Sequence, residues 1–214
     1  MAETAARRNR PYAPRLVPEQ RREQLLDVVL DVIDTDGVGA VSMDAVARRA
    51  GVTRPVVYNH FTDANDMLRA SLDREEKRAL AQIDGAMPAL GDDDLGGSFH
   101  HLFDTWLRAV TEAPQRWRSI FMITDSSTPT FHRHLARLRA RIVRDLEAIL
   151  RQSCTAGPHA DPELLSNYLL AVMWESGRLL LVSPNEFSHM RLLRSLDAMF
   201  IAIAEQGQKH SPRS

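Results

Sequence analysis

Ser42-Met-Asp-Ala-Val-Ala-Arg-Arg-Ala-Gly-Val-Thr-Arg-Pro-Val-Val-Tyr-Asn-His-Phe61 is the stretch whose reading decides the architecture of this chain. Ser42 is a good N-cap for a short helix from Met43 to Ala50, in which Val46, Ala47 and Ala50 fall on one side. Gly51 stops that helix most simply by taking positive φ. Thr53 then caps another short helix from Arg54 to about His60, where Pro55 is tolerated because a first turn needs no amide donor. Two short helices meeting across a glycine turn form the geometry that lets the second lie in a major groove about 12 Å wide. Val52 and Val57 can lock the pair together, leaving Ser42, Thr53, Arg54, Pro55, Tyr58, Asn59 and His60 as the candidate DNA-facing set. Their chemistries suit that role: hydroxyls and an imidazole for phosphates, Arg for phosphate or a guanine edge, Asn for adenine or backbone.

Upstream, Leu25, Val29, Val32 and Ile33 recur on one face of a predicted helix that Pro18 opens and Gly37 and Gly39 stop. Downstream, Thr62 or Asp63 starts a further helix through Met67, Leu68, Leu72 and Leu80 to about Ile83. Gly85, Pro88, Gly91, Asp92 to Asp94, Gly96 and Gly97 make the longest interior linker. Five more helices follow: Ser98 to Glu112, Pro114 to Thr124, Pro129 to Ser153, Pro162 to Val182, and Asn185 to Gln206. No period-2 stretch separates them, so no sheet is predicted, and there is no internal repeat. The expected fold is all-α: a basic arm over 1–17, an N-terminal three-helix helix-turn-helix domain over 18–62, a helical ligand-binding and dimerisation domain over 63–206, and a disordered tail over 207–214.

The decisive stretch resembles the TetR/AcrR family of one-component bacterial regulators. The resemblance runs from Leu25 through Ala47-Arg-Arg-Ala-Gly-Val-Thr53 and Val57-Tyr-Asn-His-Phe61 to Asp63 to Met67, roughly a fifth to a quarter of the 214 residues. It implies that Tyr58 and its neighbours hold phosphates, and that the helix carrying Thr53, Arg54 and Asn59 reads bases. The sequence departs from the family pattern after Phe61, where many relatives have a phosphate-binding lysine and this chain has Thr62-Asp63-Ala64-Asn65. The first 22 residues hold six arginines and two glutamates, a surplus of four positive charges on a stretch broken by Pro11, Pro14 and Pro18. That arm is either a solvated tail or a compensating phosphate contact.

The resemblance also implies a divergent second domain that takes a small effector. Phe103, Trp106, Trp117, Phe121, Met122, Met173 and Trp174 are its candidate pocket lining, with His101, Glu175 and Arg178 as candidate polar anchors. Leu170, Gly177, Leu193, Leu196, Met199, Phe200 and Ile203 are the candidate interface of a homodimer, since two long helices with wide apolar faces can pair with a symmetry mate. A dimer also suits recognition, because two heads about 34 Å apart read a palindrome.

Composition bounds the alternatives. Apolar residues at 44% and charged residues at 26% describe a globular chain, and 27 basic against 28 acidic side chains leave no global field for polyanions. One cysteine, Cys154, allows no internal disulfide and suits a reducing compartment. No run of about 18 apolar residues exists to span a membrane, and the N-terminus lacks a secretory apolar core, so a cytoplasmic location is expected. The arginines 133, 137, 141 and 144 read as a solvated helix face. His100-His101 and His132-x-His134 lack the i, i+4 spacing of a metal pair, and no phosphate loop or nucleophile elbow is present. No cofactor or metal and no enzymatic activity are expected. The chain reads as a transcription regulator, a repressor released from a palindromic double-stranded operator by an apolar or amphipathic small molecule. The competing reading is an all-α binding protein or enzyme that keeps the helix-turn-helix as scaffold.

Overall fold

A computed structural model describes residues 16–83, 85–91, 94–125, 129–153 and 161–209, with side chains for 16–83, 85–91, 94–124, 136–152 and 161–199. Among these residues every regular element is a helix: α1 (Pro18–Asp36), α2 (Met43–Ala50), α3 (Arg54–Tyr58), α4 (Ala64–Ile83), α5 (Leu95–Glu112), α6 (Pro114–Asp125), α7 (Pro129–Ser153), α8 (Pro162–Val182) and α9 (His189–Lys209), plus one 3-10 turn at Val38–Ala40. The basic arm through Arg15, the triad's Asp92 and Asp93, the side chains of His132, Arg133 and His134, Cys154 and the last five residues lie outside the described residues.

Local chemistry explains most boundaries. Ser42 accepts a hydrogen bond from the Ala45 amide at 3.1 Å, and Gly51 closes α2 in the left-handed region at φ 66°. At α4 the caps are reciprocal: the Asp63 carboxylate accepts from the Asp66 amide at 2.7 Å, while Asp66 accepts from the Thr62 amide at 2.9 Å. Three expectations need correction. Thr53 makes no side-chain cap, and α3 stops at Tyr58. α5 begins at Leu95, three residues before Ser98, because the Asp94 carboxylate caps it by accepting from the Gly97 amide at 3.0 Å. A Cβ on Gly97 would stand 2.2 Å from that carboxylate, so the glycine permits the cap. α9 begins at His189 instead of Asn185, since Phe187 and Glu186 donate back to the Ser183 carbonyl and make a turn, and it runs on to Lys209, into the stretch expected as tail.

Two apolar cores organise the helices. Leu25, Val29 and Ile33 of α1, Val46 and Ala47 of α2, Val57 of α3, Phe61, and Met67, Leu68 and Leu72 of α4 form the first. Phe103, Trp106 and Leu107 of α5, Trp117 and Phe121 of α6, Leu146 and Leu150 of α7, Met173 of α8, and Leu193 and Leu196 of α9 form part of the second. α4 gives Leu72 to one core and Ala79 to the other, and Ile123 of α6 is buried in the first.

Charge ties the same elements. Glu75 of α4 is 2% exposed and is met by Nε of Arg74 at 2.6 Å, Nη1 of Arg78 at 3.2 Å and Nε of Arg116 from α6 at 2.8 Å. Arg74 also reaches Glu23 and Asp27 of α1, and Arg118 of α6 grips Asp34 of α1 with two bonds of 2.6 and 3.0 Å. A buried carboxylate left without such partners costs several kcal/mol, so these arginines are structural necessities of the joint.

Candidate nucleic-acid interface

The helix pair α2–α3 is held from beneath. Val57 and Phe61 are 0% and 2% exposed, each contributing about 1.5–3 kcal/mol of burial. The Val52 amide donates to the Ala47 carbonyl at 3.0 Å across the Gly51 turn, and the Arg22 guanidinium lies 4.6 Å from the Phe61 ring centroid. Because Val57 points inward, its neighbours must point out. Tyr58 is 56% exposed, and Thr53, Arg54, Pro55 and Asn59 are exposed with it; His60 is half-buried beside Phe61. Ser42 stands at the exposed start of α2 with its oxygen already engaged as cap, leaving its hydroxyl proton free to donate.

The cations of this surface divide into engaged and open. Arg49 is spent on Asp31 at 3.0 Å and Asp36 at 3.3 Å, fastening α2 to the end of α1. Arg54 pairs through Nε and Nη2 with both carboxylate oxygens of Asp44 on α2. Arg48, one turn beyond Asp44 on the same side of α2, is exposed and makes no ion pair among the described residues. Sequence reasoning missed both Asp44 and Arg48; the ten-residue separation of Asp44 and Arg54 becomes a contact only once the glycine turn folds α3 back on α2.

The second core places the candidate pocket residues. Trp106 meets Trp117 edge-on with centroids 4.4 Å apart, Phe121 meets Trp174 at 4.7 Å, and Phe103 and Met173 are buried with them. The Trp117 indole donates to the Ala109 carbonyl at 3.0 Å, whereas the buried Trp106 Nε1 has no hydrogen-bond partner among the described residues. Met122 departs from expectation: it is exposed on the outer side of α6. Two of the three expected anchors, His101 and Glu175, are exposed as well, and the half-buried Arg178 leans on Glu175 at 3.7 Å.

The candidate dimer residues with described side chains face mostly into the chain. Leu170, Leu193 and Leu196 are buried within the chain, Met199 packs against the second core, and Gly177 sits against the aromatic cluster. Phe200 and Ile203 lie outside the described side chains. What α8 exposes instead is Leu164, Tyr168 and Val182, with Ala171, Glu175 and Arg178 between them. At about 100° per residue these six fall within about 40° of one line along the helix. No helix among the described residues is long and apolar enough to cross a membrane, and no group of three or more His, Cys, Asp or Glu among them is placed to hold a metal ion.

Residues 25–70 match the family model described as bacterial regulatory proteins, tetR family. The transcriptional regulator SrpR of Pseudomonas putida is 27% identical over 141 residues, a segment spanning 65% of this chain and 63% of SrpR. Less than two thirds of that relative's length is therefore matched. A TetR-like transcriptional regulator from Rhodococcus sp. RHA1 superposes with a TM-score of 0.72 at 20% identity, covering 92% of this chain and all of the other. A SmeT–triclosan complex superposes with a TM-score of 0.66 at 19% identity over 86% and 90% of the two chains; SmeT is described as the repressor of the Stenotrophomonas maltophilia multidrug efflux pump SmeDEF. The head is thus matched in sequence to the tetR family of bacterial regulatory proteins, and 92% of the chain is matched in fold to a TetR-like regulator.

Proposed function

We propose that this protein is a sequence-specific DNA-binding transcriptional repressor that works as a homodimer on a palindromic operator and leaves it when a small apolar or amphipathic molecule enters the second core. The observation that carries the reading is the outward set on α3. Val57 and Phe61 anchor a rigid platform from which Thr53, Arg54, Tyr58 and Asn59 project. Tyr58 and Arg48 supply phosphate contacts, and Arg54 and Asn59 supply base contacts. The carboxylates of Asp63 and Asp66 are committed to the start of α4, where relatives place a cation, which leaves phosphate binding to α2 and α3.

Effector entry is coupled to the head through α6. Its Trp117 and Phe121 belong to the aromatic cluster, while its Arg116, Arg118 and Ile123 hold α4, α1 and the first core. A ligand that separates the aromatic rings and takes up the Trp106 N–H, which has no partner among the described residues, shifts α6, and with it the spacing of two heads. Only a difference in ligand affinity between the two arrangements moves the equilibrium. That SmeT was crystallised with triclosan makes an aromatic phenol the first probe to try.

The test is a titration of the protein against the DNA flanking its own gene, with random competitor and at two salt concentrations. Two protomers bound per site, resisting competitor and released by effector, is the expected result. Binding that random DNA removes in full at every flanking sequence overturns the reading.

A further inference from the structure

We infer that Asp44 is a positioning residue: by holding one edge of Arg54 it aims the other at a guanine, so that this pair sets the operator's preference at one base pair. The inference rests on the DNA-binding reading above. A guanidinium has two edges able to bond bidentately, the side edge of Nε with Nη2 and the end edge of Nη1 with Nη2. Asp44 occupies the side edge completely, Oδ1 taking Nε and Oδ2 taking Nη2. Nη1 has no partner among the described residues, so the end edge stays open, and that edge matches the O6 and N7 acceptors of guanine in the major groove.

Charge decides between guanine and phosphate. Phosphate affinity comes largely from uncompensated positive charge and the counterions it releases. An arginine neutralised by a carboxylate loses most of that advantage, and Asp44 itself is repelled by the backbone. The directional donors of the end edge survive the pairing. Fixing the side chain also lowers the rotamer entropy lost on binding, which an exposed arginine otherwise gives up in full. α3 holds no second charged side chain: after Arg54 come Pro55, Val56, Val57 and Tyr58. Uncompensated charge for phosphates is available beside it at Arg48, so the two arginines divide the work.

Selection of the full-length protein on a pool of duplexes with a randomised core tests this, run for the native chain, Asp44→Asn, Arg54→Ala and Arg54→Lys. In each half-site the native chain is expected to select a guanine that Arg54→Ala and Arg54→Lys no longer distinguish. Asp44→Asn should weaken discrimination at that same position by roughly fivefold or more, leaving selection at the other positions unchanged, while the uncompensated Arg54 charge steepens the salt dependence of binding. A merely structural pair, stapling α2 to α3, lowers affinity at all positions alike. That outcome, or full guanine selection by Asp44→Asn, or no guanine lost in Arg54→Ala, overturns the inference while the DNA-binding reading stands. A native chain that enriches no motif overturns both. If Asp44→Asn melts below the assay temperature, Arg54→Lys decides: it keeps the charge without the fork, so retained guanine selection refutes the role of the end edge.

Discussion

Gly177 is the residue at which space is shortest. A Cβ there would stand 2.8 Å from Cζ2 of Trp106 and 3.1 Å from Cζ of Phe121, and those rings are braced by Trp117 and Trp174. Alanine would gain about 1 kcal/mol of helix propensity over glycine. Overpacking a rigid aromatic cluster costs about 1–3 kcal/mol. Gly177→Ala should therefore be net destabilising by up to about 2 kcal/mol, read as a lower denaturant midpoint at unchanged slope; a raised midpoint would show that the cluster yields freely. At the opposite end of the molecule, Tyr58→Phe removes only a hydroxyl that takes no partner among the described residues, so stability should not move. Operator binding should weaken by about 0.5–1.5 kcal/mol, equally on selected and unselected duplexes, because a phosphate contact carries no sequence information. Weakening confined to one base position, measured by fluorescence anisotropy on single-base variants, would assign Tyr58 to a base instead. Which residues face outward on α3 was legible in the sequence, since Val57 and Phe61 bracket Tyr58 within one turn. The pairing of Arg54 with Asp44 was not, because it depends on how tightly the Gly51 turn folds.

Among the elements, α5 and α9 show how much of a helix can be read locally. Their apolar positions and approximate extents follow from periodicity, but the first residue of each is set by a group that the pattern does not single out, the Asp94 carboxylate for α5 and the backbone turn on the Ser183 carbonyl before α9. The faces of α8 were harder still. Leu170 and Gly177 point inward while Leu164, Tyr168 and Val182 point out, and a helix apolar on both sides offers no stripe to separate them. Between α5 and α9 run two crossed polar links: His100 Nδ1 to Asp197 at 2.7 Å and His189 Nε2 to Asp104 at 2.8 Å, the latter joined by Arg108. Burial acts to raise the Asp104 carboxyl, but the His189 hydrogen bond and the Arg108 charge outweigh it and hold the group below its ordinary value of 3.8. A depressed folded-state value stabilises the fold above the ordinary value, and the contribution is lost as pH falls through the lower one. Asp104→Asn should accordingly reduce stability at neutral pH by up to about 1 kcal/mol, as for partly solvated pairs. The difference between variant and native chain should close below pH 3.8. A difference that persists in acid, followed by urea unfolding at stepped pH, would mean that the loss comes from packing.

At the scale of the whole molecule, the two sides of α8 make opposite demands, and this separates folding from assembly. Residues 166, 169, 170, 173, 176, 177 and 180 form the buried side, and their truncation should be felt in the monomer: Leu170→Ala should cost about 2–5 kcal/mol. The exposed line of Leu164, Tyr168, Ala171 and Val182 is already in water, and a surface change there should alter monomer stability by less than about 0.5 kcal/mol. If a second copy covers that line, the interface is self-complementary, so a charge placed near the two-fold axis meets its own copy. Tyr168→Glu should then split the dimer without unfolding either chain, and sedimentation velocity should find monomers at concentrations where the native chain is paired. Operator affinity should collapse with it, because a single head reads too few base pairs and loses the linkage between half-sites. The combination carries the weight of the test. A folded Tyr168→Glu monomer that cannot hold the operator ties assembly to recognition through this face, whereas a Tyr168→Glu dimer with native affinity moves the interface elsewhere on the molecule and takes the head-spacing mechanism with it.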